Sequence, residues 1–476
     1  MERRQFLVHG VTATAGVALA GCEPFRGAAA VGARGRPPRP GGGYGPLRPT
    51  KDRRDGRVRL HLPEGFSYRS FDPAGGRLTR GGVTPGRHDG MGAFPGPDGR
   101  VILVRNHEVN GPVGAFGDPG EAYDRAAGGG TVTLEVTRYG EVKRSYPSLT
   151  GTQMNCSGGV MPWGSWVTCE ETVNGPDVGD DHTGGDNRRL TRKHGYIFEV
   201  PIDRPATGRP IRAAGRFAHE SAAYDPHTKA IYLTEDNFNF PSGFYRYIPP
   251  KDPQRAGRIL DGGRLQMLAV TGSPGKDLSR RLPEGASWAV TWVDIDDPDP
   301  DFTGRPSNDA AVQAVGRQGR AKGAAIFARL EGAVYHDGTV YFVSTQGGPR
   351  APGDPRPSGF GDGRGQIFAY DCAANRLRLV YQSPSSVTLD LPDNVTTSRR
   401  GTLVLCEDGD GDNYLRGLTP TGEIFDFARL EPVAGDPGAE FAGTTFSPDW
   451  HTLFVNVQSS KGVSFAIWGP WERGGF

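Results

Sequence analysis

The apolar positions of this chain fall in short alternating runs rather than at helical spacing, and the runs come in pairs. Six segments share one plan: HDGMGAFPGPDGRVILVRNHE (88–108), NCSGGVMPWGSWVTCEE (155–171), HESAAYDPHTKAIYLTED (219–236), LEGAVYHDGTVYFVSTQ (330–346), PDNVTTSRRGTLVLCED (392–408) and AGTTFSPDWHTLFVNVQ (442–458). Each opens as a strand of small residues, turns through Gly, Pro, Asp or Arg-Gly, and returns along an alternating apolar strand that ends in a carboxylate or amide. Period-two alternation on both sides of a turn signal predicts a β-hairpin. The copies recur roughly every 70 residues, against ~40–50 for a minimal four-stranded blade, so loops and insertions carry the surplus. The expected fold is all-β, a six-bladed β-propeller with long loops and insertions. A pair of β-sandwiches is the competing all-β arrangement.

Composition sharpens this picture. With 72 Gly and 40 Pro among 476 residues, nearly a quarter of the chain is backbone punctuation, which disfavours long helices. Lys and Arg number 55 against 54 Asp and Glu, a formal net charge of +1. That balance supplies no field for nucleic acid, which is excluded as a dedicated partner.

The first residues read as an address. Arg3-Arg4 precede Gln5, Phe6 and Leu7, an apolar run follows from Val11 to Ala20, and Leu19-Ala20-Gly21-Cys22 is similar to a lipobox. Residues 1–21 are therefore expected to be a Tat-type signal peptide, with Cys22 lipidated at the mature N-terminus. This places the protein on the outer face of the bacterial cytoplasmic membrane through a lipid anchor, or in the periplasm or outside the cell. Residues 22–56, rich in Gly, Pro and Arg, read as a tether; 57–476 read as the propeller, with a surface insertion at about 249–306. The remaining cysteines, Cys156, Cys169, Cys372 and Cys406, are an even set that export would allow to pair. A chain folded before Tat export can equally keep them as thiols.

The repeat also places candidate chemistry. Five of the six units carry a possible metal ligand at the start of the first strand: Asp89, Cys156, Glu220, Glu331 and Asp393. The return strands finish at Glu108, Glu171, Glu235, Gln346, Glu407 and Gln458, at the same end of each hairpin. Converging carboxylates repel one another unless a cation lies among them. Hard oxygen donors suit Ca²⁺, and one thiolate in the slot held elsewhere by carboxylates adds a softer ligand for a transition metal. By strand alternation Cys169 and Cys406 point away from the neighbouring acids and read as core. Arg329, two residues before Glu331, shares its face and suits a phosphoryl clamp or a salt bridge to a ligand acid. Asn106 shares a face with Glu108 and reads as a metal or substrate contact, or a plain turn residue. His107 and His219 are candidates to orient the adjacent glutamates. Asp408-Gly-Asp410-Gly-Asp412-Asn413 imitates an EF-hand start but lacks its sixth-position Gly and closing Glu. No G-x-S-x-G elbow or P-loop is present.

These motifs together resemble one family. Asn155-Cys156-Ser-Gly-Gly, Trp166-Val-Thr-Cys-Glu170-Glu171, Phe217-Ala-His219-Glu220, Arg329-Leu-Glu331, Cys406-Glu407-Asp408 and Glu440-Phe-Ala-Gly-Thr-Thr-Phe-Ser-Pro-Asp449, with the twin-arginine start, look like the PhoX-type alkaline phosphatases. The resemblance spans about Leu60 to Gln458. It implies a six-bladed propeller holding two ferric ions and several calcium ions, acting on small-molecule phosphomonoesters, and a monomer is expected. Carried over by motif, Cys156 would bridge the irons, Glu220 and Glu331 would be iron ligands, and Arg329 would hold the phosphate. Calcium would fall to acids such as Glu108, Glu171, Glu235, Glu407 and Glu440, by their place in the repeat. Two other readings remain open at this level: another calcium-dependent propeller hydrolase, a lactonase or phosphotriesterase, and a non-catalytic calcium-stiffened binding propeller.

Overall fold

The structure, a computed structural model, describes residues 39–251, 255–433 and 435–476. The expected signal peptide, the Cys22 lipobox and the first part of the tether lie outside the described residues. Among the described residues no helix is long and apolar enough to cross a membrane, and the α-helices are the short Asn308–Val312 and Ala314–Ala321.

Each sequence repeat forms the two inner strands of one blade. Blade 1 runs His88–Pro95, Val101–His107, Gly129–Val136 and Val142–Thr152; blade 2 has three strands, Asn155–Met161, Ser165–Glu170 and Ile197–Pro201. Blades 3, 4, 5 and 6 begin with His219–Tyr224, Leu330–His336, Pro392–Thr397 and Glu440–Phe446. These six inner strands neighbour one another in chain order, and the sixth packs on the first, so the ring is closed. Closure is completed by Ser67–Phe71, a strand that precedes blade 1 in the chain and pairs with Val463–Trp468 as the outer strand of blade 6. A β-sandwich pair would not bring the sixth repeat against the first.

Alternation along each strand sends successive side chains to opposite faces, and hence toward the two neighbouring blades. Ala222 and Tyr224 pack toward blade 2, whereas Ala223 packs toward blade 4. The result is six separate apolar clusters, one at each blade interface. Small residues permit the tight approach near the axis: a Cβ on Gly159 would lie 1.8 Å from the Ala222 carbonyl oxygen.

Two expected boundaries shift. The tether does not reach residue 56, because Arg39–Pro40 pairs with Ile424–Leu430 and Leu47–Lys51 pairs with Val58–Pro63. Tyr44 anchors this segment among Phe66, Phe427 and Phe476, and its hydroxyl donates to the Trp471 carbonyl at 3.0 Å. An isolated aromatic in a Gly/Pro-rich stretch was the signal for that anchoring. Nor is the stretch from 249 to 306 wholly a surface insertion. Arg264–Val270 is the fourth strand of blade 3, and Ser287–Asp294 is a fifth that pairs with Arg376–Gln382 and joins the sheets of blades 3 and 4.

Candidate metal centre

One local device repeats at the same end of the inner strands. In blade 1, His88 pairs with His107 and Met91 with Arg105, so two residues on the inner strand oppose one on its partner. The same shift occurs after Asn155, His219, Leu330 and Pro392. A bulge of this kind re-aims the extra residue instead of continuing the alternation. The first bulge residues are Asp89, Cys156, Glu220, Glu331 and Asp393, the five expected from the repeat. In blade 6 the bulge lies between Ala442 and Thr445, with Gly443 at φ +59°. A Cβ there would come within 2.5 Å of the Asp89 carbonyl oxygen, so this slot is filled by close backbone approach rather than by a ligand.

A second tier is held by a backbone hydrogen bond common to five blades. The N–H groups of Glu108, Glu171, Asp236, Thr345 and Asp408 donate to the carbonyls of Arg87, Met154, Ala218, Arg329 and Leu391, at 2.9–3.1 Å. These donors follow directly on the return strands. The equivalent residues in blades 3 and 5 are therefore Asp236 and Asp408, not Glu235 and Glu407.

Glu235 and Glu407 are turned into their own blades. Glu235 accepts from the Gly243 N–H, the Tyr245 hydroxyl and the Asn237 amide; burial, only partly offset by the Arg320 charge and the Tyr245 and Gly243 donors, pushes it up to about 7. Glu407 accepts from the Asp390 and Tyr414 N–H groups and from Arg416. Both expected calcium assignments are corrected by one residue. The signal was legible: Glu108 and Glu171 are the second members of His107-Glu108 and Glu170-Glu171, and the same register selects the second members of Glu235-Asp236 and Glu407-Asp408.

Asn106 is likewise corrected. Its amide donates to the carbonyls of Cys156 and Ser157 at 2.9 and 2.8 Å, and its oxygen accepts from Trp166 Nε1 and the Thr168 hydroxyl. Its hydrogen-bonding capacity is spent strapping blade 1 to the Cys156 bulge. His107 and His219 make no hydrogen bond to Glu108 and Glu220: His107 Nδ1 meets the Gly86 carbonyl and its Nε2 meets Arg105, while His219 Nε2 meets the Gly215 carbonyl.

The remaining acids converge. One ligand atom each from Cys156, Glu171 and Glu220 lie within 4.8 Å of one another, and so do those of Glu220, Glu331 and Asp393. Glu220 is common to both groups. Neither of its carboxylate oxygens meets a donor other than the Cys156 thiol, and Asp89 Oδ1 and Glu171 Oε2 also lack one. Gln458 donates to Asp89 at 2.7 Å and to Glu108 at 3.0 Å, and Glu440, paired with Gln458 across blade 6, adds another buried acid. Burial first, and neighbouring carboxylates second, hold Asp89, Glu171, Glu220 and Asp393 well above the usual carboxylate range. Glu331 is raised as well by burial, against the pull of Arg329. Glu440 is pushed up to about 8 by burial. Burial also pushes the Cys156 thiol up, with Glu220 and Glu171 adding to it. Buried acids crowded in this way, with oxygens lacking donors, fit cations.

Arg329 closes one side. Its guanidinium meets Asp236 at 2.6 Å and Glu331 at 2.6 Å, lies over the Phe238 ring and is 3% exposed, while its backbone sits at φ +48°. Among the described residues the other three cysteines, Cys169, Cys372 and Cys406, are buried free thiols, as is Cys156; Cys169 and Cys406 lie in the apolar clusters as expected. The cavity of about 270 Å³ lined by Ala223, Tyr224, Val334, Thr396 and Phe446 lies at the opposite end of the inner strands, away from these acids.

A closed ring of six blades with buried acids and a thiol gathered at one end of its axis defines a β-propeller with a candidate metal centre. The family model of alkaline phosphatase PhoX matches residues 42–143 and 137–461. The chain belongs to the PhoX alkaline phosphatase family, whose members are metal-dependent hydrolases of phosphoric monoesters. Among solved structures it is similar to PhoX of Pseudomonas fluorescens in complex with vanadate, a transition state analogue, at 20% identity and a TM-score of 0.63, over 92% of this chain and 99% of that one. A virginiamycin B lyase from Staphylococcus aureus matches at 12% identity and a TM-score of 0.36, over 85% and 99%. A gluconolactonase of Xanthomonas campestris matches at 14% and 0.32, over 83% and 100%. No curated protein matches the chain.

Proposed function

We propose that this phosphatase is an exported alkaline phosphomonoesterase that uses iron and calcium together to release inorganic phosphate from small phosphate esters. The observation that carries the reading is the pair of ligand groups sharing Glu220, one of them containing Cys156. Thiolate is a soft donor suited to iron, and the surrounding carboxylates are hard donors suited to calcium. Cys156, Glu220 and Glu331 would hold iron, with Glu171 beside Cys156. Asp89, Glu108, Asp236, Asp393, Asp408 and Glu440 are the candidates for calcium. When bound, these metals supply Lewis acidity and positive charge to a phosphoryl group.

The chain's own residues do the rest. Asn106 fixes the backbone of the Cys156 bulge, so the thiol is aimed before any ligand arrives. Asp236 and Glu331 hold the Arg329 guanidinium in one orientation, so it meets phosphoryl oxygens without the cost of ordering a free side chain. The Tat-type leader and the lipid anchor at Cys22 would place this site outside the cytoplasm on a monomeric enzyme.

The test is elemental analysis of protein exported through its own leader, with turnover of p-nitrophenyl phosphate measured before and after calcium chelation. About two irons per chain and chelator-sensitive turnover are expected. Calcium without iron would return Cys156 to a core role, and turnover indifferent to chelation would remove calcium from the reading. Mass spectrometry of the mature N-terminus tests lipidation at Cys22.

A further inference from the structure

The position two residues before the bulge is a repeated backbone feature. Arg87, Met154, Arg329 and Leu391 all occupy it with positive φ, between 43° and 50°. Its carbonyl accepts the hydrogen bond that holds the second tier. Met154, Ala218 and Leu391 are apolar and buried. The two charged occupants are Arg87 in blade 1 and Arg329 in blade 4. Three blades apart in a closed ring of six, they stand on opposite sides of the axis.

Their surroundings differ in a way that bears on function. Arg329 is 3% exposed and locked by Asp236 and Glu331 at 2.6 Å each. Arg87 is 21% exposed, 3.8 Å from Glu108, and donates to Gln458 Oε1 at 3.3 Å. A partly exposed guanidinium held this loosely can turn toward an incoming anion; one clamped by two buried carboxylates cannot. Both nonetheless stand beside a second-tier or bulge acid of the same centre.

We propose that Arg87 is a second substrate-binding residue, a guanidinium that captures the phosphate group of the ester from the side of the mouth opposite Arg329. The inference rests on the phosphatase reading of this centre. Arg329 then acts on the geometry of the reacting phosphoryl group, and Arg87 on its recruitment. A charged hydrogen bond made in both the bound and the reacting state lowers KM and leaves kcat nearly unchanged.

The experiment compares metal-loaded wild type with Arg87→Gln and Arg87→Lys, measuring metal content, kcat and KM on p-nitrophenyl phosphate, and inorganic phosphate binding by calorimetry. Expected for Arg87→Gln are full metal content, kcat within about twofold, and KM and phosphate Kd raised roughly tenfold to a hundredfold. Arg87→Lys, which keeps the charge but not the fork, should recover part of that loss. Unchanged KM and phosphate affinity in Arg87→Gln would overturn the proposal while leaving the phosphatase reading intact. Loss of metal with a fall in kcat would overturn it too, by making Arg87 a support for Glu108. A wild-type holoenzyme that neither binds phosphate nor turns over would instead overturn the reading on which it rests.

Discussion

The two ends of the inner strands are built from the same six segments and have opposite character. At one end five bulges turn Asp89, Cys156, Glu220, Glu331 and Asp393 into a shared centre. At the other the strands run regularly and line an apolar cavity with Ala223, Val334 and Phe446. Regular alternation sends every side chain into a blade interface, where only apolar groups are stable without partners. One additional residue per strand breaks that alternation, and the side chain it frees faces its counterparts from the other blades. The propeller therefore concentrates charge where its β-pairing is irregular and stores stability where it is regular.

The sharpest way to break this contrast is Cys156→Ala. It should reduce metal content and turnover together, by at least ~100-fold in activity, and full activity in an iron-loaded alanine variant would sink the assignment. Arg329→Ala should keep its metal yet lower kcat/KM by about 10²–10³-fold, the range for removing one preorganised electrostatic donor; an unchanged kcat/KM would take Arg329 out of the site.

A third test probes what holds the charged end rather than what lines it. His194 is buried between Glu170, at 2.6 Å, and Asp124, at 3.5 Å. Burial draws it down, but the two carboxylates outweigh burial and push it up to about 9. A histidine raised in the folded state contributes stability that is full below its unfolded pKa of ~6.5 and is lost as pH rises through about 9. Wild type should lose roughly 3 kcal/mol across that window, and denaturant midpoints for His194→Gln should be flatter with pH. An equally steep profile in the variant would assign the dependence to other groups.

The smallest effect belongs to the apolar end. Val334→Ala should cost about 2 kcal/mol through lost packing between blades 4 and 5, lowering Tm while metal content and kcat stay the same. A matching loss of metal would show that the two ends are energetically coupled rather than separate.

The hairpin repeats carried the architecture openly, because period-two alternation and turn residues are local properties that each segment states for itself. The six blades, the place of Asp89, Cys156, Glu220, Glu331 and Asp393 at one end of the inner strands, and the core positions of Cys169 and Cys406 were all legible on those grounds. What alternation could not settle was the register at the strand ends, where a slip of one residue reverses a side chain. Glu235 and Glu407 were exchanged for Asp236 and Asp408 on that account, since only the backbone bonds to Ala218 and Leu391 decide which carboxylate faces the axis. Asn106 changed role because its partners, Cys156, Ser157, Trp166 and Thr168, lie 50 to 62 residues away in the next blade. Likewise, Tyr44 entered the fold through aromatic rings at the far C-terminus. The sequence by itself determined the repeat, the kind of side chain at each bulge and the end of the blade at which the acids and the thiol gather. Tertiary structure alone decided which acids meet and which are spent on their own blade, because convergence on an axis depends on contacts between segments that no local pattern encodes.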